Sequence, residues 1–253
     1  MKVTILGCGS SSGVPMLKYG WGDCDPNNPK NRRSRSSVLI EKDGTSLLTD
    51  MSPDLRQQLL DYGVARADGV IFTHAHYDHI NGLNELRPIF FGQKERLHVY
   101  AGKKDLDIIR KAFFYLFEES DHKIYKPYIK THVIEKEFSV GKISGICFEQ
   151  DHGFSTSLGI RIDNFAYSTD VVSLSEEAFE ALRGIDTWVV DCLSMKSGNP
   201  SHAHLDQVLE WVKRINPRRT FLTHMGITMD YDTLLRILPE NVKPAYDQMT
   251  FFV

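Results

Sequence analysis

The stretch Thr73-His74-Ala75-His76-Tyr77-Asp78-His79 constrains the fold of this chain more than any other. It grows out of an apolar run, Gly69 to Thr73, that reads as a short buried strand. If that strand continues through His76, residues 74 and 76 project from one face and bring two imidazoles to one point. Asp78 and His79 then turn into the next helix and offer a second pair to a point nearby. Four ligand-type side chains within six residues have no packing rationale. Crowded imidazoles repel one another once protonated, and a metal ion holds them neutral. The chain is therefore expected to place a strand end at a metal site.

Composition narrows the remaining classes. A chain of 253 residues suits one large domain with a substantial core. With 42% hydrophobic and 25% charged residues, a disordered or collagen-like chain is excluded. Lys+Arg 30 against Asp+Glu 33 leaves a net charge of −3, which argues against gripping nucleic acid through a basic surface. A small anionic substrate needs only a few local cations and stays open. No apolar run approaches the roughly 18–20 residues of a membrane span. The start MKVTILGCG carries no signal-peptide core, so secretion is not expected. Cys8, Cys24, Cys147 and Cys192 form no CxxC pair and read as reduced thiols of a cytoplasmic protein.

Strands are predicted at residues 3–6, 97–101, 142–149, 158–162, 165–168, 187–191 and 220–222, and a hairpin joins 37–41 to 46–49 across Asp43-Gly44. Helices are predicted at 52–62, with Ser52 as N-cap and Pro53 at the first helical position, and at 104–117, 175–182, 205–215 and 231–237. Strands come in clusters punctuated by helices. The pattern favours stacked sheets with helices outside, as one domain over residues 1–253, over a doubly wound parallel sheet. The polar stretch from Lys18 to Ser37 is too long for an idle turn. Phe113, Phe114 and Phe117 are spaced like a helix core face. Lys103, Lys104, Lys123, Lys126 and Lys130 read as surface charge, and His98, His122 and His132 have no identifiable partners.

The HxHxDH run after a strand resembles the signature of the metallo-β-lactamase superfamily. The resemblance implies an α+β fold, a four-layer αββα sandwich with a dinuclear site at one edge. The remaining ligands it implies are a later His, an Asp that bridges both metals, and a final His. Asp151-His152-Gly153, Ser168-Thr169-Asp170 and Thr223-His224-Met225 each follow a predicted strand. On this resemblance His74, His76 and His152 hold one metal, Asp78, His79 and His224 hold the second, and Asp170 bridges them. Asp50 would orient ligands from behind. The implied cofactors are two divalent ions: the imidazoles suit zinc, and the carboxylates also accept manganese or iron.

Leu6-Gly7-Cys8-Gly9-Ser10-Ser11-Ser12-Gly13-Val14-Pro15, Asp191-Cys192, Leu222-Thr223-His224 and Ala245-Tyr246-Asp247 narrow the resemblance. They are similar to the branch holding ribonuclease Z and the phosphoribosyl cyclic phosphodiesterases of the PhnP type, and closest to the latter. The spacing of Gly7, Gly9 and Gly13 is not a dinucleotide fingerprint, and Pro15 argues against a helix there. Two departures stand out. Relatives of the phosphodiesterase type can carry a structural zinc on several cysteines in the segment matching residues 21–36, where this chain has only Cys24, so that zinc is not expected. The long arm with which ribonuclease Z grips transfer RNA has no visible counterpart.

The expected activity is a dinuclear metal-dependent phosphodiesterase acting on a small phosphodiester, such as a cyclic sugar phosphate or nucleotide. Two divalent ions lower the pKa of a shared water toward ~7, and the hydroxide attacks phosphorus. His202, in Ser201-His202-Ala203-His204-Leu205, matches the family position of the group that assists the leaving alkoxide, and His202 and Asp78 are the expected catalytic residues. His204 is its rival, and also reads as the cap of the helix beginning near Leu205. Arg32 and Arg33, with His202 and His204, are the expected substrate contacts, since arginine clamps phosphate in a bidentate way. A solvated basic loop explains the arginines equally well. Long nucleic acid and membrane are not expected as partners, and a homodimer is left open. The alternatives are ribonuclease Z-like transfer RNA processing, a thioester or lactone hydrolase of the glyoxalase II kind, and a catalytically silent metal-binding module. The complete ligand set argues against the last.

Overall fold

Val38, Leu39 and Ile40 are consecutive, apolar and fully buried, and neighbouring side chains of a strand face opposite ways. Such a strand needs cover on both faces. In the computed structural model, which describes residues 1–63, 66–90, 96–118 and 127–253, a second sheet covers one face and helices the other. The first half of the chain runs β1 (Lys2–Gly7), β2 (Ser37–Lys42), β3 (Thr45–Thr49), α1 (Leu55–Tyr62), β4 (Gly69–Ile71), α2 (Tyr77–Ile80), β5 (Leu97–Ala101), α3 (Lys103–Ala112) and β6 (Ile129–Val133). The second half runs β7 (Glu137–Val140), β8 (Ile143–Asp151), β9 (Thr156–Ile162), β10 (Phe165–Ser168), α4 (Glu176–Ala181), β11 (Thr187–Asp191), α5 (Leu205–Ile215), β12 (Arg219–Thr223), α6 (Tyr231–Ile237), β13 (Val242–Pro244) and β14 (Met249–Phe252).

One seven-stranded sheet has the order β14-β1-β2-β3-β4-β5-β6, and the other β13-β12-β11-β10-β9-β8-β7. Val38, Ile40, Leu47 and Ile71 of the first meet Ile160, Ile162 and Tyr167 of the second. Leu39, Leu48 and Val70 face the other way, onto Leu55 and Leu59 of α1 and Leu106 and Ile109 of α3. On the far side, Trp188 of β11 packs on Trp211 of α5, ring centroids 6.5 Å apart. The result is the four-layer αββα sandwich.

Each sheet changes character across its width. Strands β14, β1, β2 and β3 are antiparallel and β3 to β6 parallel; β7 to β10 are antiparallel and β10 to β13 parallel. Parallel strands send their carboxyl ends to one edge, which is where ligands collect in sheets of this kind. Asp50 follows β3, His74 lies just past β4, Asp170 past β10, Asp191 ends β11 and His224 follows β12.

Several expectations change. Strand β4 stops at Ile71, so His74 and His76 are not strand neighbours; they sit on the loop that leads into α2, with His76 at its N-cap. Helix α1 begins at Leu55 with Asp54 at its N-cap, while the Ser52 hydroxyl accepts the Asp54 N–H (3.1 Å) one turn earlier. Helix α3 ends at Ala112, and the chain passes into a short 3-10 turn, Phe114–Leu116. Phe113 is buried there but Phe114 is 60% exposed, so the three phenylalanines do not form one core face. His98 and His132 do have a partner: each other, with Nδ1 and Nε2 3.1 Å apart. His122, Lys123 and Lys126 lie outside the described residues. Among the described residues no helix is long and apolar enough to cross a membrane.

Candidate metal centre

Three residues at this edge hold left-handed backbone: Asp50 (φ 60°), Asp170 (φ 51°) and His224 (φ 54°). Each follows a strand, and the turn swings its side chain off the strand direction into the space between the sheet ends. Outside glycine this conformation costs roughly 1–3 kcal/mol, and it persists where the surroundings over-determine it.

The side chains meet in two groups of four donors, and within each group the donor atoms all lie within 4.8 Å of one another. In the first group His76 Nδ1 is 2.9 Å from His74 Nε2 and 3.2 Å from His152 Nε2. Asp170 Oδ2 lies 3.7 Å from His74 Nε2 and 3.4 Å from His152 Nε2. In the second, Asp170 Oδ1 lies 3.2 Å from His79 Nε2 and 3.1 Å from His224 Nδ1, and Asp78 Oδ2 is 3.2 Å from His79 Nε2. Asp170 belongs to both, with one oxygen turned to each.

Groups behind the donors fix which nitrogen each ring presents. His79 Nδ1–H donates to Asp50 Oδ2 (2.8 Å), and His152 Nδ1–H to the Ser201 carbonyl (2.7 Å). The Thr73 hydroxyl donates to Asp50, leaving its oxygen to accept from His74 Nδ1 at 3.1 Å. The Ser36 hydroxyl donates to the Gly9 carbonyl and accepts from His224 Nδ1 at 3.3 Å. Asp105, on α3, accepts the Ala75 N–H at 2.9 Å and ties down the loop between His74 and His76.

The donor set fits a pair of divalent cations on two observations. Asp78 Oδ2, His79 Nε2 and His224 Nε2 are buried without a hydrogen-bond partner among the described residues, and all three belong to residues of the second group. Electrostatics points the same way. Burial opposes charge on His79, yet the carboxylates of Asp170, Asp50 and Asp78 push its imidazole well above the ordinary value, so this pocket calls for positive charge. Burial and the neighbouring imidazoles press His74 well down, and burial also lowers His152 and His224, which keeps them in the neutral form that binds metal. Five imidazoles and two carboxylates are a donor set for zinc, manganese or iron.

His202 stands beside both groups. Its ring stacks on His224 (centroids 4.7 Å) and meets His152 edge-on (4.9 Å). Nδ1–H donates to Asp191 Oδ2 (2.8 Å), and Nε2 lies 3.9 Å from Asp170 Oδ2. Burial opposes protonation, but Asp191 outweighs it and pushes the imidazole up to about 9. His204 is not in this cluster: it occupies the N-cap position of α5 without a side-chain cap bond. Arg33 is a correction. Its guanidinium is buried and committed to the Met229 carbonyl (2.7 Å), Asn31 and Cys24, so it braces the 18–37 stretch and is not free to clamp a phosphate. Arg32 is exposed and lies over the Trp21 ring, 5.1 Å from its centroid. Reading the sequence gave no role to Thr73, which directly precedes the His74 ring it contacts, nor to Ser36, Ser201 or Asp105, which no spacing links to His224, His152 and the Ala75 N–H.

The family profile of the beta-lactamase superfamily domain matches residues 45–225. The chain belongs to the metallo-β-lactamase superfamily. Within it, a crystal structure described as a new diphosphatase from the PhnP family superposes with a TM-score of 0.92 at 29% identity, covering 100% of this chain and 97% of that one. The octanoyltransferase of Porphyromonas gingivalis is 31% identical over 251 residues, 98% of this chain but 50% of that protein, so the chain spans about half the length of this relative. A ribonuclease Z of Haloarcula marismortui is 33% identical over 81 residues, 30% of this chain and 26% of that one. The proteins this chain resembles thus include one described as a diphosphatase and one named ribonuclease Z.

Proposed function

We propose that the chain is a dinuclear phosphodiesterase for small substrates, with His74, His76 and His152 holding one ion, Asp78, His79 and His224 the other, and Asp170 shared. The observation that carries this reading is one buried carboxylate, Asp170, common to two donor groups, with a proton-bearing imidazole 3.9 Å away. When bound, two divalent ions supply Lewis acidity toward phosphoryl oxygens and acidify water near neutral pH. The chain's own residues do the rest. Asp191 keeps the Nδ1 proton of His202 and favours the imidazolium, so Nε2–H is available to the departing alkoxide. Asp78 and Asp170 bring two negative charges to the cations and leave net positive charge for the phosphate. Asp50 and Thr73 keep His79 and His74 in one orientation, so little reorganisation accompanies the reaction.

A second reading, cleavage of a diphosphate, is supported by the likeness to the PhnP-family diphosphatase over nearly the whole of both chains. It uses the same residues, with a phosphate in place of an alkoxide as the leaving group. Acyl transfer, the activity in the name of the Porphyromonas relative, finds no thiolate here. All four cysteines are buried, and burial pushes the Cys8 and Cys192 thiols well up and Cys147 up to about 12.

Steady-state hydrolysis by metal-reconstituted protein tests the proposal, with bis(p-nitrophenyl) phosphate, an alkyl diphosphate, a thioester and a lactone side by side. Turnover of the diester that is lost in Asp170→Ala supports it. Turnover of the diphosphate alone favours the second reading, and turnover of only the thioester or lactone sinks both.

A further inference from the structure

We infer that the open side of the metal centre carries a subsite for a planar, uncharged ring, formed by Phe154 and Tyr77, so that nucleotide phosphoesters are preferred over bare sugar phosphates. The inference rests on the phosphoesterase reading above.

His76 is the one exposed donor of the two groups, which places the mouth of the site on the side of the first. The residue after His76 is Tyr77, 58% exposed, and two residues after His152 comes Phe154, 91% exposed. The His76 and His152 rings are 5.0 Å apart, so the two aromatics follow, by one and two residues, donors that stand side by side. Among the described residues neither packs on another ring. Large apolar side chains left in water beside a charged centre add nothing to folding.

Phe154 is not on a loose arm. Residues 152–155 are the tip of the β8–β9 hairpin, closed by the His152 N–H to the Ser155 carbonyl at 2.9 Å. Gly153 takes φ 73°, and a Cβ there would come within 2.5 Å of the Pro200 carbonyl oxygen. The tip is therefore wedged against the segment whose Ser201 carbonyl orients His152 and whose next residue is His202. This geometry fixes the backbone that carries Phe154 beside the first donor group and leaves its ring, 91% exposed, open to a ligand. Every nucleobase offers a ring face to such a platform, and a bare sugar offers none. With the Arg33 guanidinium committed elsewhere, the mouth is better suited to stacking an uncharged ring than to clamping a second phosphate.

The test is calorimetric titration of metal-loaded protein with AMP, ribose 5-phosphate and inorganic phosphate, alongside turnover of bis(p-nitrophenyl) phosphate. Wild type should bind AMP about tenfold or more tightly than ribose 5-phosphate, the effect of stacking one base. Phe154→Ala should close most of that gap and the Phe154→Ala/Tyr77→Ala double variant all of it, with metal content and affinity for inorganic phosphate unchanged. Equal affinity of wild type for AMP and ribose 5-phosphate, or a gap that survives the double substitution, overturns the subsite. If the diester is turned over but no gap is seen, only the subsite falls. If no phosphoester is turned over, the phosphoesterase reading falls and the subsite with it.

Discussion

The two donor groups share Asp170 and much the same ligand chemistry, but they differ in what surrounds them. Asp78, His79 and His224 are buried, and carboxylate or hydroxyl partners hold the two rings: Asp50 on His79, Ser36 on His224. The first group is open at His76, whose outward nitrogen has no anchoring partner among the described residues. Its loop is held instead through the backbone, by Asp105 on the Ala75 N–H. Burial and anchoring pre-organise a site, while an open coordination side admits substrate and water. On the function proposed above, the difference predicts tighter metal binding at the second group and exchange and substrate contact at the first.

Substitutions can break that division. The largest effect is expected from Asp170→Ala, which dissolves the division by removing the residue common to both groups; diester turnover should fall on the order of 10⁴-fold or more, with metal content reduced at both. His202→Ala sits on the side of the chemistry and not of the metals. It should cost about 10²-fold or more with an alkyl leaving group and far less with p-nitrophenolate, which departs without a proton, while metal content is unchanged. Asp50→Ala sharpens the comparison: chelator competition should show about 10- to 100-fold weaker binding at the second group and little change at the first. His76→Ala should do the converse.

The smallest effect concerns the scaffold behind the second group. Asp247 accepts the Cys8 N–H and the Ser34 N–H and hydroxyl, two residues from Ser36, and burial pushes its carboxyl up to about 6. The unfolded chain releases this proton near 3.8, so the folded state holds more protons between there and about 6. Stability is then greatest below that window and falls as pH rises through it, by up to about 3 kcal/mol. In chelator-treated protein, Asp247→Asn should flatten this slope in urea denaturation across pH 4 to 7 while the other carboxylates keep theirs.

Half of the centre was legible because its donors are neighbours in sequence: His74, His76, Asp78 and His79 fall within six residues after an apolar run. His152, Asp170 and His224 were found only through a resemblance, since each is an isolated residue past a strand end. What remained hidden is tertiary. Ser36 lies 188 positions from the ring it steadies, and the left-handed turns at Asp50, Asp170 and His224 fall on Asp and His, which adopt that backbone more often than other non-glycine residues but mostly occur without it. The early end of β4 was missed because Phe72 and Thr73 are as strand-like as the residues before them. Arg33 misled for the opposite reason: three arginines in four residues look like a surface clamp, and only the packed chain shows one of them buried on the Met229 carbonyl. Strands β6, β7, β13 and β14 escaped notice because the first is half polar and the others are only three or four residues long.

The most direct test of the two-group account is a zinc titration of metal-free protein by calorimetry, with diester turnover measured at each point. Two classes of site per chain are predicted, a tighter one filled first with little activity and a weaker one whose filling brings turnover. A single class of one ion per chain, with full activity reached at that first equivalent, would contradict it.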